Sequence, residues 1–217
     1  MDVYPLTDQN RVSLVKRVVN LLGKGGVAAL PTDTVYGLVA DAENESAVKK
    51  VFSIKGREAV KALPVFVRDL EVARHYARFD PELVPFLEKI WPGSMTIVLR
   101  KKPLMLPDII SGGAKTVGLR IPAHPFLTAV LREFSRPLTA TSANFSGEES
   151  AGSGEEVRRT FRGRVPRPDL LIDAGVLPLS SSSTVLDMTS PANPRILRMG
   201  AVSKEKLDDF FNLFARK

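Results

Sequence analysis

The 217-residue chain has no cysteine and only two histidines. Disulfides, Cys-ligated zinc and iron–sulfur clusters are therefore excluded. Neither His75 nor His124 stands in a His-Glu-x-x-His frame, so a metalloprotease centre has no support. No Gly-x-x-x-x-Gly-Lys-Ser/Thr loop, no Gly-x-Gly-x-x-Gly fingerprint and no Gly-x-Ser-x-Gly elbow occurs, which removes P-loop, Rossmann and serine-hydrolase motifs. No apolar run approaches the roughly 18 residues that a membrane-spanning helix needs. The opening MDVYPLTDQNRV lacks a basic stretch followed by an apolar one, so no secretory signal is expected. A cytoplasmic protein without a membrane role is the expectation. Aromatic residues are scarce at 7%, which argues against a stacking surface for single-stranded nucleic acid.

What is present is ordinary for a globular chain: 44% hydrophobic and 25% charged residues. The length favours one largish domain, 1–217. The formal net charge of +7 is spread along the chain and not gathered in an arm or tail. Its one dense cluster is Arg158, Arg159, Arg162, Arg164 and Arg167, diluted by Glu155 and Glu156. That cluster reads as a solvated helix face or as a polyanion patch.

Helical and strand periods alternate along the sequence. Val12, Val15, Val19 and Leu22 fall at helical spacing, as do Val48, Val51 and Phe52 after a cap region at Asn44–Ser46. Helices are also expected near 69–77, from Asp80 to Trp91, after Pro125, and at the end through Leu207, Phe210, Phe211 and Phe214. Strands are expected at 27–30, 63–67, 94–102, 116–121 and 137–141. Three closely spaced late strands, 169–173, 183–188 and 195–199, are joined by short Pro/Gly/Asn turns and predict a mostly antiparallel late sheet. The fold class is therefore mixed α/β (α+β), a mixed sheet with helices on its faces. Segment 145–154, rich in Ser and Gly, is the expected mobile loop.

Four segments carry chemistry-bearing side chains where strands or helices end. In PTDTVYGL (31–38), Pro31 stops ladder pairing, so Thr32, Asp33, Thr34 and Tyr36 leave the sheet at an edge; they are ligand contacts or turn caps. Lys55 and Arg57 flank Gly56 at a helix end, as a dipole cap or as an anion grip of point charge plus planar fork. In GLRIP (118–122), Arg120 and Gly118 share one strand face while Val117, Leu119 and Ile121 share the other. Arg120 thus meets either solvent or a ligand, and the adjacent glycine leaves room for the latter. TATSAN (139–144) ends a strand with Ser142 and Asn144, a plain turn or a set of donors to phosphate or carboxylate.

Taken in order, PTDTVYGL, Lys55-x-Arg57, WPGSMTIVL (91–99), VGLRIPAHP (117–125), TATSAN, STVLDM (183–188) and ILRMG (196–200) make the chain resemble the YrdC-type threonylcarbamoyl-AMP synthase family over about residues 10–210. Three positions depart from the family pattern: Ser94 and Ala62, where Pro is usual, and Ser182, where Glu often stands. The resemblance implies a YrdC/RibB-like twisted mixed sheet flanked by helices and enclosing a large basic cleft, in the short form with no additional C-terminal domain. It implies that L-threonine, bicarbonate or CO2, and ATP give threonylcarbamoyl-AMP and pyrophosphate. Downstream threonylcarbamoyl-transferase proteins would then modify position 37 of tRNAs, with direct tRNA contact left open.

By the family pattern Lys55, Arg57, Ser142 and Asn144 are the catalytic set. Thr32, Pro64, Arg120, Ala140 and Ser183 are placed near threonine, and Lys55, Ala59, Thr116, Ser142, Ser150 and Arg198 near ATP. Mg2+ would arrive with the phosphates, and no protein-bound metal is expected. The alternative is a non-catalytic protein binding double-stranded RNA or tRNA through the same cleft.

Overall fold

The computed structural model describes residues 1–178 and 181–215. Ser180, in the polar lead into the strand at 183–188, and the side chain of Phe214 lie outside the described residues. Among the described residues twelve strands and eight α-helices follow one another: β1 (Asp2–Pro5), α1 (Arg11–Gly23), β2 (Ala28–Leu30), β3 (Gly37–Val39), α2 (Glu45–Lys55), β4 (Val65–Phe66), α3 (Leu70–Tyr76), β5 (Ala77–Arg78), α4 (Val84–Ile90), β6 (Met95–Lys101), α5 (Asp108–Ser111), β7 (Thr116–Arg120), α6 (Pro125–Phe134), β8 (Leu138–Thr139), β9 (Thr141–Ser142), α7 (Gly154–Phe161), β10 (Leu170–Asp173), β11 (Thr184–Asp187), β12 (Arg195–Arg198) and α8 (Lys204–Ala215).

The mixed architecture is divided between two sheets. One has the order β1-β10-β2-β3-β9; the other runs β12-β11-β6-β7-β4-β8, with β5 added beside β6. Within the first sheet β2, β3 and most of β10 are buried on both faces, so these strands read as short continuous apolar runs, whereas β1 is largely exposed. Ala28, Leu30, Val39, Leu170 and Ile172 pack on one side under α1 and α6. Val27, Ala29, Leu38 and Leu171 face the opposite way, into a core shared with α2 and α7. In the second sheet Met95, Ile97, Leu99, Val117, Leu119 and Leu186 point into that same core, together with α4 and Leu207. Strand alternation then puts Thr96, Val98, Gly118 and Arg120 on the other face, where they border a cavity.

Helix spacing explains the covering layer. Phe126, Leu127, Val130, Leu131 and Phe134 form one buried stripe on α6, which opens with Pro125 in its first turn, where a missing N–H has no consequence. Helix α2 is capped by Asn44, whose side chain accepts from the Ala47 N–H, and it ends on Gly56 in the left-handed region, φ 56°.

Three expectations need correction. The late strands do not form one antiparallel sheet: β10 runs parallel between β1 and β2, whereas β11 runs parallel to β6 and antiparallel only to β12. Short connections bring strands close in sequence, but here consecutive strands lie in different sheets. The strand expected at 137–141 is split, with β8 in the second sheet and β9 in the first. Residues 31–36 do not leave at a sheet edge, because β2 and β3 are both internal strands and pair with each other.

Candidate active site

The connection between β2 and β3, the split β8–β9 and the cavity-facing side of the second sheet enclose a cavity of about 320 Å3. Of the residues expected from the sequence, Thr32, Arg57, Pro64, Arg120, Ala140, Ser142, Ser183 and Arg198 line it. Ala62 and Ser182, which depart from the family pattern, line it as well. Ser94 does not, though its carbonyl accepts from the Thr184 N–H beside Ser183.

Three guanidinium groups set the electrostatics. Arg120 is 4% exposed. Its Nε donates to the Gly93 carbonyl at 2.9 Å, one terminal nitrogen to Thr34 Oγ1 at 3.2 Å and the other to Asp33 Oδ1 at 2.7 Å. The guanidinium also lies over the Phe66 ring, 5.6 Å from its centroid. Arg198 is pinned to the Ser183 carbonyl by two bonds of 3.2 and 2.7 Å. Arg57 reaches the carbonyls of Lys61 and Ala62. Neither Arg57 nor Arg198 forms an ion pair with a carboxylate among the described residues. Burial pulls all three below the ordinary arginine range, and Arg198 is lowered further by the neighbouring charges of Arg120 and Arg57. These cations therefore feel one another across the cavity. An anion placed between them would relieve that repulsion.

Lys55 is placed one layer back. It is 2% exposed and does not line the cavity. Its ammonium donates to the Ser142 carbonyl at 2.7 Å, the Asn144 carbonyl at 2.9 Å and Asn144 Oδ1 at 3.1 Å. Those three bonds match its three donors, so Lys55 clamps the 142–144 turn. Burial, and secondarily Arg57, pull its pKa down to about 7. Asn144 continues the clamp: its Oδ1 accepts from Ser142 Oγ, and its Nδ2 donates to the Glu148 carbonyl.

Three other expected residues are not lining groups. Ala59 is exposed on the loop after α2. Thr116 lies on the Gly118–Arg120 face of β7 but outside the cavity lining. Ser150 reaches the rim through Ser182, with their hydroxyls 3.3 Å apart.

Several cavity-lining residues stand outside the site set that the family pattern implies, Thr34 and Thr96 among them. Thr34 lines the cavity; Thr32 Oγ1 donates to the Val35 carbonyl, so the Thr34 hydroxyl must donate to Thr32 while accepting from Arg120. Thr96, 1% exposed, lies 2.9 Å from the Ser183 hydroxyl. Its signal was the one hydroxyl within the apolar run MTIVL, in register with Val98. Tyr36, by contrast, is structural: its hydroxyl donates to the Gly175 carbonyl and accepts from the Ala174 N–H. The arginine cluster after residue 157 is exposed on and beyond α7, away from the cavity.

Among the described residues no helix is long and apolar enough to cross a membrane. A family model described as "Telomere recombination", Sua5_yciO_yrdC, matches residues 20–200. A Bacillus subtilis relative named threonylcarbamoyl-AMP synthase is 36% identical over 195 residues, covering 89% of this chain and 55% of that one. A Methanocaldococcus jannaschii relative is 35% identical over 206 residues, 94% of each chain. The crystal structure of Pyrococcus abyssi Sua5 complexed with L-threonine superposes with a TM-score of 0.87 at 32% identity, covering 96% of this chain and 60% of that one. The chain thus spans little more than half the length of the Bacillus relative.

Proposed function

The chain belongs to the Sua5/YciO/YrdC family, and on that premise we propose that it makes threonylcarbamoyl-AMP and pyrophosphate from L-threonine, bicarbonate or CO2, and ATP. The observation that carries this reading is the convergence of Arg57, Arg120 and Arg198 on one cavity, two of them without a carboxylate partner among the described residues. Both reactants are anions. Threonine brings a carboxylate and, once its amine has added carbon dioxide, a carbamate; ATP brings the triphosphate. Bringing like charges into bonding distance is the main barrier that this protein environment can lower, and fixed cations do so without reorganising.

Arg120 is the group for the threonine carboxylate. Three of its five N–H bonds are committed to protein oxygens, which leaves two for a carboxylate fork. The hydroxyls of Thr32 and Ser183 and the small Pro64 and Ala140 shape the same end of the cavity. Arg57, Arg198 and Ser142 are assigned to the triphosphate, which carries Mg2+ in with it as part of the substrate. The carbamate oxygen attacks the α-phosphorus, the bond to the β-phosphate bridging oxygen breaks, and pyrophosphate leaves with its charge held by Arg57 and Arg198. No protein nucleophile enters this sequence of steps.

The relatives' names, threonylcarbamoyl-AMP synthase, support the same reading. Passage of the product to transfer proteins that act at position 37 of tRNA, in the cytoplasm and by one domain spanning 1–217, completes the proposal. No observation in the structure favours non-catalytic RNA binding over this reading. Labelled bicarbonate tests the proposal: label should enter a nucleotide product only when ATP and L-threonine are both present. Label-free nucleotide under those conditions would overturn it.

A further inference from the structure

We propose that Asp33 is a positioning residue that sets the amino-acid end of the cavity by fixing Arg120; this assignment rests on the reading of Arg120 as the carboxylate-binding group. Asp33 does not line the cavity, so it has no direct access to a ligand there. Its side chain is 15% exposed and its Oδ1 accepts from an Arg120 terminal nitrogen at 2.7 Å. Asp33 is the one carboxylate that forms an ion pair with any of the three cavity arginines among the described residues. The other two are held by carbonyl oxygens.

The geometry explains why that difference matters. A guanidinium on a flexible stem can rotate its fork away from a ligand. Arg120 is prevented from doing so on three sides: the Gly93 carbonyl fixes Nε, Thr34 fixes one terminal nitrogen and Asp33 the other. Of these, the charge-assisted bond to Asp33 is the strongest and the shortest. It also offsets part of the burial that disfavours the Arg120 charge. Asp33 is therefore poised to leave two N–H bonds of Arg120 aimed at a substrate carboxylate. Thr34, which accepts from Arg120 and donates to Thr32, extends the same frame to a residue lining the threonine end.

Steady-state kinetics of Asp33→Ala and Asp33→Asn in the full chain test this, reading pyrophosphate release with threonine and ATP varied separately. Loss of one charge-assisted bond at the threonine end, about 1.5–3 kcal/mol, corresponds to a rise of about tenfold or more in KM for L-threonine. For Asp33→Ala that rise is expected with KM for ATP within about twofold of the parent. Asp33→Asn keeps an oxygen acceptor at the same place but loses the charge, so KM for threonine should still rise, by about threefold, less than in Asp33→Ala; it also serves if the alanine variant, with a buried unpaired charge, fails to fold. Unchanged KM for threonine in a folded variant overturns the proposal. Equal rises for threonine and ATP overturn it too, since they would mark general damage. A parent protein without threonine-dependent release overturns instead the functional reading, and the positioning role with it.

Discussion

At the scale of single residues, Lys55 separates what sequence can show from what packing adds. Its place two residues from Arg57 at a helix end suggested either a dipole cap or an anion grip shared by the two cations. The tertiary structure then turns Lys55 inward, where it holds the backbone of Ser142 and Asn144. Nothing in the local sequence could show this, because the acceptors lie some ninety residues away. A pH dependence follows. Burial, then Arg57, lower Lys55 to about 7. Below that pH it is an ammonium with three donors; above it, an amine with two donors and no charge. The 142–144 turn is thus fully clamped on the acid side and loosened on the alkaline side. KM for ATP should therefore rise as pH is raised through about 7. In Lys55→Arg, whose charge persists across this range, that inflection should vanish. An inflection that survives in the arginine variant would assign the titration to another group. Arg120 was more legible, because the period of two in β7 already set Arg120 and Gly118 against Val117, Leu119 and Ile121.

At the scale of elements, the strongly periodic segments were readable and the shortest ones only in part. Helix α6 announced itself through a five-residue apolar stripe and a leading proline. Strand β4 lies inside the expected 63–67 and β8 and β9 divide the expected 137–141, whereas β5, two residues long, is too short for any periodicity to register. Strand β1, an exposed DVYP segment, has no alternating pattern and owes its place to pairing with β10 across the molecule. Helix α2 is the element that the site depends on most, since it delivers Lys55 and Arg57 at its C-terminal end. Removing its cap by Asn44→Ala should cost about 1 kcal/mol, read as a fall in Tm of roughly 2–4 °C for a chain of this size, with KM for threonine unaltered. The segment 145–154 is tied at its base, where Ser146 donates to the Lys55 carbonyl and Tyr36 to that of Ala151, while residues 146–149 are exposed. If this segment closes over ATP, ATP plus threonine should protect it from limited proteolysis. Equal cleavage with and without the ligands would count against closure.

At the scale of the whole molecule, the cavity exists because two sheets meet around it. One face of the second sheet supplies Arg120, Thr96 and Gly118, while the ends of β3 and β9 supply Gly37 and Ser142 from the first. Alternation specified the two faces of β6 and β7, but not their neighbours. Pairing partners are chosen by long-range packing, which is why the late strands were assigned to one sheet and the cavity could not be assembled in advance. The motifs were nevertheless the parts that converge: residues from PTDTVYGL, Lys55-x-Arg57, WPGSMTIVL, VGLRIPAHP, TATSAN, STVLDM and ILRMG line the cavity or brace residues that do. The central claim is that this cavity joins an amino acid to a nucleotide. Its most direct test is pyrophosphate release from ATP, with bicarbonate present, measured with and without L-threonine. Release that requires threonine is the predicted result; ATP turnover indifferent to threonine, or ATP bound with no release when threonine is added, would contradict it.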